Sequence, residues 1–226
     1  MEYFIDICKD EDLKKRIISF ISGCADYIID HIGNGEGQIG INRASKSWRG
    51  LNSSSILEPI VKLYKLTNNQ KHLDFATYIV NEGGCHEINL VELAYENKVL
   101  PYQYGVSKAY EMMSFFEGIL EYYLVTGNEK YKTAVVNFAN AVMESEISVI
   151  GSSGITHELF DHTKQRQTVR QPDVAQETCV TVTWMKLCSR LLEITGDSRF
   201  ADQMEKSFYN AYLGALNTSL HCEAFA

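Results

Sequence analysis

Apolar residues recur at steps of three and four along most of the chain, and this spacing predicts a succession of amphipathic helices. Between Asp10 and Ile32 the stripe is Leu13, Ile17, Phe20, Ile21, Cys24, Tyr27 and Ile28. Gly33, Gly35, Gly37 and Gly40 then open a loop that carries Trp48. Ser53, Ser54 or Ser55 is placed to cap a helix striped by Leu57, Ile60, Val61 and Tyr64, in which Pro59 is tolerated only within the first turn. Leu73 to Val80 continues the pattern up to Gly83-Gly84, and Asn89 to Asn97 is a weaker segment. The strongest period runs from Ser107 to Val125, through Met112, Phe115, Phe116, Ile119, Leu120 and Tyr123. Tyr131 to Val142 repeats it, and helix returns over Glu177 to Ile194 and Ala201 to Ala215. Between these, Ser145 to Gln176 is polar and irregular. It is too long for a plain connector, which marks it as a functional loop.

Three junctions share one plan: Leu66-Thr67-Asn68-Asn69, Val125-Thr126-Gly127-Asn128 and Ile194-Thr195-Gly196-Asp197. An apolar residue and Thr close one helix, Gly or Asn takes a left-handed C-terminal position, and Asn or Asp caps the next helix. A His or aromatic residue follows at 72, 131 and 200. The junctions lie about 60 to 70 residues apart, a period of one long-looped helical hairpin. Repeated antiparallel hairpins predict an all-α fold, a toroid or solenoid. A closed six-hairpin barrel needs about twice the helices seen, so residues 1–226 are expected to form a single partial toroid domain of something larger.

Composition narrows the function classes. With 45% hydrophobic and 22% charged residues the 226-residue chain is globular rather than disordered. Its net charge of −8 disfavours nucleic acid and anionic membrane surfaces as partners. No apolar run of about 18 residues exists to span a bilayer, and the acidic start from Met1 to Asp12 is not a secretory signal. The chain as given reads as cytoplasmic; a preceding segment would make a periplasmic or secreted location possible. Three prolines leave most of the chain free to be helical, and the six irregularly spaced cysteines read as reduced thiols.

Candidate chemistry concentrates in Gly151-Ser152-Ser153-Gly154-Ile155-Thr156-His157-Glu158-Leu159-Phe160-Asp161-His162, followed by Gln176-Glu177-Thr178-Cys179. The first piece sets carboxylates and imidazoles in a Gly-rich loop. The second puts Glu177 and Cys179 at a helix start, where the dipole favours a thiolate. Glu, Cys and His are zinc-ligand types. Each has a bland reading as well: a Glu that complements the dipole, a Cys that fills space, surface histidines. Trp48, beside Arg49 in a polar loop, either stacks on a sugar face or covers a rim; Tyr102 and Tyr104 are equally open. Glu58 and Glu111 face either a lumen or a helix end, and Cys85-His86 is only loosely a metal pair.

Taken in order, these pieces resemble a known family. Ser54-Ser55-Ile56-Leu57-Glu58-Pro59, Lys108-Ala109-Tyr110-Glu111-Met112, Thr156-His157-Glu158-Leu159-Phe160, Glu177-Thr178-Cys179 and Phe208-Tyr209-Asn210-Ala211 are similar to segments of the glycoside hydrolase superfamily of bacterial β-L-arabinofuranosidases, the former DUF1680 group. The resemblance runs from about Gln38 to Asn217 and implies an (α/α)6 barrel. It implies zinc held by Glu177 and Cys179 together with two adjacent cysteines, one of them the nucleophile, and Glu158 as general acid/base. A carbohydrate substrate would be hydrolysed at terminal glycosidic bonds in polysaccharide side chains, with retention.

Two sugar-pocket positions depart from the family, Ser55 and Lys108 standing where better-known members carry histidines; with Trp48 and His157 these are the candidate substrate contacts. The sequence contains no adjacent Cys-Cys pair. A chain of this extent is therefore expected not to turn over substrate alone, and to self-associate through apolar faces left uncovered. Two rivals stand beside the glycosidase: a non-catalytic carbohydrate-binding toroid, and a zinc-free α-toroid lyase or isomerase using a Tyr or His base.

Overall fold

A computed structural model describes residues 2–154, 158–168 and 176–216. The chain is mostly helical: α1 (Glu2–Ile7), α2 (Glu11–His31), α3 (Leu51–Ser54), α4 (Leu57–Thr67), α5 (Gln70–Asn81), α6 (Leu90–Glu96), α7 (Ala109–Thr126), α8 (Glu129–Ser145), α9 (Thr163–Arg166), α10 (Thr178–Thr195) and α11 (Ser198–Lys206). A π-helical stretch, Ser207–Tyr212, continues α11. Strands β1 (Gly84–Cys85) and β2 (Ile88–Asn89) pair antiparallel, Gly84 opposite Asn89 and Cys85 opposite Ile88. Among the described residues no helix is long and apolar enough to cross a membrane.

The three junctions follow one local chemistry. Asn68, Gly127 and Gly196 each adopt positive φ, at 51°, 67° and 68°. The Thr before each donates its hydroxyl back to a carbonyl four residues earlier: Thr67 to Leu63, Thr126 to Tyr122 and Thr195 to Leu191. Asn69, Asn128 and Asp197 then accept the backbone N–H of Lys71, Lys130 and Arg199, satisfying donors that the new helix leaves orphaned. His72 is buried, Phe200 is buried, and Tyr131 meets Tyr122 edge-on at 5.2 Å.

The chain forms two compact units. The first comprises the residues up to Val99 together with Ser114–Asn137. Its core holds Leu57, Ile60 and Val61 from α4, Phe75 and Ile79 from α5, and Phe115, Phe116 and Ile119 from α7. Gly118 lets α7 approach α4: a Cβ there would lie 2.8 Å from the backbone N of Glu58 and from the Leu57 side chain. Among the acids of α7, Glu121 is buried and paired with Lys65 at 3.1 Å. Glu58, read as lumen-facing or helix-terminal, pairs with Lys62 at 2.9 Å. The second unit comprises Leu100–Met113 and the residues from Phe138 onward. Its core is built on Met112, Phe138, Phe160, Trp184, Leu187 and Phe200.

Two expectations need correction, and the apolar stripe predicted on α2 is left partly uncovered. The serines at 53–55 do not cap α4: the N-cap is Ile56, with no side-chain bond. The hydroxyls of Ser54 and Ser55 instead donate to the carbonyls of Gly50 and Asn52, closing the short α3 turn. On α2 the stripe is only partly covered, with Phe20 and Tyr27 71% and 66% exposed. The last helix is α-helical only to Lys206 before it widens into the π-helical stretch.

Candidate functional site

The site lies within the second unit, where three short segments meet: the start of α7, the loop after Gly154 and the start of α10. The first two are stitched by backbone. The N–H of Ala109 donates to the Glu158 carbonyl and that of Phe160 to the Ser107 carbonyl, both at 2.7 Å, so Lys108 and Leu159 form an antiparallel bridge. Glu158 itself takes positive φ, 61°. This geometry brings the Lys108 ammonium onto the Glu158 carboxylate as an ion pair. Nearby, Tyr102 stacks on His162, the ring centroids 4.8 Å apart and the planes within 6°.

At the third segment Glu177 is the N-cap of α10 in extended conformation, and its side chain makes no capping bond. Its carboxylate turns toward Cys179. The Cys179 Sγ lies 3.5 Å from Glu158 Oε1 and 3.7 Å from Glu177 Oε2. One donor atom from each of the three residues falls within 4.8 Å of the others. A thiol with two carboxylates is a donor set that suits zinc, though a closed tetrahedral site takes four ligands. Among the described residues this is the group of three that could hold a metal ion.

The expected thiolate at the dipole's positive end is not what the protein alone supports. Burial, then the negative charge of Glu158 and Glu177, pushes the Cys179 thiol up to about 11. Two nearby carboxylates outweigh a helix terminus, whose influence fades within the first turn. A cation among these three groups would reverse that balance, which is the sense in which the residues fit one.

Of the residues singled out in the sequence, Glu158, Glu177, Cys179 and Lys108 come together. Trp48 and Ser55 belong to the first unit. Trp48, 38% exposed, has φ of 52° and is followed by Arg49 at 53° and Gly50 at 82°, three successive left-handed residues. The Ser55 hydroxyl donates to Asn52 O at 2.8 Å. His157 lies outside the described residues. Tyr104 and Cys85 are buried groups, each pushed up to about 12 by desolvation.

Sequence reasoning missed Glu146. It directly follows the last residue of α8, is fully buried, and accepts the backbone N–H groups of Asp161, His162 and Thr163. A signal was present: an acid at a helix C-terminus meets the unfavourable end of the dipole, so some other partner must hold it there.

The family described as β-L-arabinofuranosidase, GH127 catalytic domain, matches residues 13–221. Among solved structures, a GH127 β-L-arabinofuranosidase from Geobacillus stearothermophilus T6 superposes with a TM-score of 0.60 at 22% identity, over 85% of this chain and 32% of that one. A GH127 β-arabinofuranosidase gives the same score and identity over 85% and 29%. A further glycoside hydrolase gives 0.51 at 20% identity over 76% and 31%. The likeness shows the fold, an all-α part of the toroid, and the chain spans about a third of the length of these structures. No curated protein matches the chain.

Proposed function

The chain belongs to the β-L-arabinofuranosidase, GH127 catalytic-domain family, and on that premise we propose that residues 1–226 form one partial toroid domain of a retaining glycoside hydrolase. In this reading Glu158 is the general acid/base, and Glu177 and Cys179 are zinc ligands. The substrate class is carbohydrate, at terminal glycosidic bonds in polysaccharide side chains. The observation that supports it is the convergence of the Cys179 thiol and the Glu158 and Glu177 carboxylates within 4.8 Å.

Glu158 would protonate the leaving glycosidic oxygen and later take a proton from the attacking water. Its backbone bonds to Ala109 and, through Phe160, to Ser107 hold the carboxylate in place for both transfers. Lys108 holds one Glu158 oxygen and so orients the carboxylate. Glu177 and Cys179 would hold the metal, which when bound supplies the positive charge that keeps coordinating thiols ionised at neutral pH. The nucleophile implied for the family, one of two adjacent cysteines, has no counterpart in this sequence.

Metal analysis tests the ligand assignment. The intact protein is expected to bind about one zinc per copy, and Cys179→Ser and Glu177→Gln to lose it. Hydrolysis of aryl glycosides that persists after the metal is stripped would sink the zinc reading. A second reading, a non-catalytic carbohydrate-binding toroid, is favoured by the Lys108 ion pair on Glu158. Saturable sugar binding without turnover, unaffected by Glu158→Gln, would support it.

A further inference from the structure

Glu146 has no solvent to ionise into, at 0% exposure, yet donors from two directions surround its carboxylate. Oε2 accepts the N–H groups of Asp161 and Thr163, and Oε1 that of His162, all at 3.1 Å. The Ser145 hydroxyl adds a fourth bond at 3.2 Å. Three successive backbone N–H groups converging on one anion form a nest, and the left-handed His162, at φ 63°, is what turns them inward. Here the anion is a side chain of the protein itself. A buried carboxylate is retained only when such bonds offset its desolvation.

These donors lie three to five residues after Glu158. The segment is thus tied on one side to the start of α7, through Ala109 and Ser107, and on the other to Glu146 at the end of α8. We infer that Glu146 is a positioning residue that fixes the reach of Glu158 toward Cys179 and Lys108. It touches neither substrate nor reacting atoms; it sets the loop from which Glu158 projects. The inference rests on the reading of Glu158 as acid/base, and a shift of about 1 Å in such a group can cost about 100-fold in rate.

The test uses the full chain and three variants: Glu146→Ala, Glu146→Gln and Glu158→Gln. Turnover of 4-nitrophenyl β-L-arabinofuranoside and amide exchange by mass spectrometry are measured well below each variant's melting temperature. Where the wild-type chain turns the probe over, Glu146→Ala is expected to lower kcat about 100-fold with KM changed by about twofold or less. Glu146→Gln, which keeps an acceptor oxygen in place, should recover about tenfold of that loss. Exchange should quicken over residues 158–163 in Glu146→Ala and stay unchanged over α10. Wild-type kcat in Glu146→Ala, or unchanged exchange over 158–163, overturns the proposal. Full activity in Glu158→Gln overturns the acid/base reading instead, and exchange alone then decides Glu146. Exchange also decides if the wild-type chain does not turn the probe over.

Discussion

At Gly127 and Gly196 the chain turns left-handed with nothing within 4 Å of where a Cβ would stand, whereas at Gly151 a Cβ would lie 2.7 Å from the backbone N and Cα of Ser207. All three have positive φ, at 67°, 68° and 87°. The first two belong to helix junctions whose polar groups are satisfied within a few residues, by the Thr hydroxyl behind and the Asn or Asp cap ahead. Gly151 belongs to the long loop of the second unit, which is satisfied from far away. The Ser207 hydroxyl donates to the Gly151 carbonyl across 56 positions, and Glu146 holds the N–H groups of 161–163. The same backbone conformation is thus local chemistry in one region and tertiary packing in the other.

The largest expected effect breaks the loop side of that contrast. Gly151→Ala combines a left-handed cost of about 1–2 kcal/mol with an overpacking cost of about 1–3 kcal/mol against Ser207, because that neighbour is backbone and cannot rotate away. Urea unfolding should show a loss of about 3 kcal/mol or more, against about 1 kcal/mol for Gly196→Ala. Equal losses at both sites would mean that the loop does not depend on its seat at Ser207. Next in size is the junction cap. Asp197→Ala should cost about 1 kcal/mol, since its carboxylate meets the Arg199 N–H at the start of α11. Arg199 also pairs with Asp197, but that exposed contact adds little. A change below about 0.3 kcal/mol would remove the cap from the account.

The same contrast explains what could be read from the sequence. The helices α2, α4, α5, α7, α8 and α10 follow from spacing and the three junctions from their cap residues, because each depends on neighbours within a few positions. The exposure of Phe20 and Tyr27 did not follow from the stripe, which states which face is apolar and not what covers it. Of the site, Glu158, Glu177 and Cys179 were legible as residue types in a Gly-rich loop and at a helix start, and the structure gathers them. The state of the thiol was not: it depends on burial, on the Glu158 carboxylate arriving from another segment and on the way Glu177 turns, and these outweigh the dipole that sequence position suggested. Glu146 carried a signal in its place at a helix C-terminus, but its partners were illegible for the same reason. Its four hydrogen bonds include three to residues 15 to 17 positions away, and no periodicity encodes them.

A smaller effect sharpens the comparison among the junctions themselves, which place His72, Tyr131 and Phe200 at one position. Burial holds the His72 imidazole below its usual value; Asp26 raises it and Lys71 lowers it to a lesser degree. The group is neutral in the fold and protonates more readily when unfolded, so its contribution is present above about pH 6.5 and is lost as pH falls toward the lowered folded value. His72→Phe copies the third junction. It leaves Thr67 its bond to Leu63 and forfeits the 3.2 Å bond between Thr67 Oγ1 and His72 Nδ1 at both pH values alike, while His72 Nε2 has no hydrogen-bond partner to lose. Urea midpoints at pH 7.5 and 5.5 should drop less on acidification in His72→Phe than in the wild type. An equal drop would assign the acid sensitivity elsewhere.

The smallest expected effect is the sharpest test of local satisfaction. Asn68 takes the left-handed position in the first junction with φ 51° and ψ 23°, where Gly127 stands in the second. If the junctions are interchangeable local devices, Gly127→Asn should change stability by about 0.5 kcal/mol or less. Asn tolerates the left-handed region, and its more restricted unfolded chain offsets the residual strain. Gly127→Val should cost about 1–2 kcal/mol, because a branched Cβ meets the following carbonyl in that conformation. Space does not decide between the two, since nothing lies within 4 Å of the Cβ position. An Asn variant as damaged as the Val variant would show that the second junction needs the bareness of glycine itself, and the shared plan would then be only a likeness of sequence.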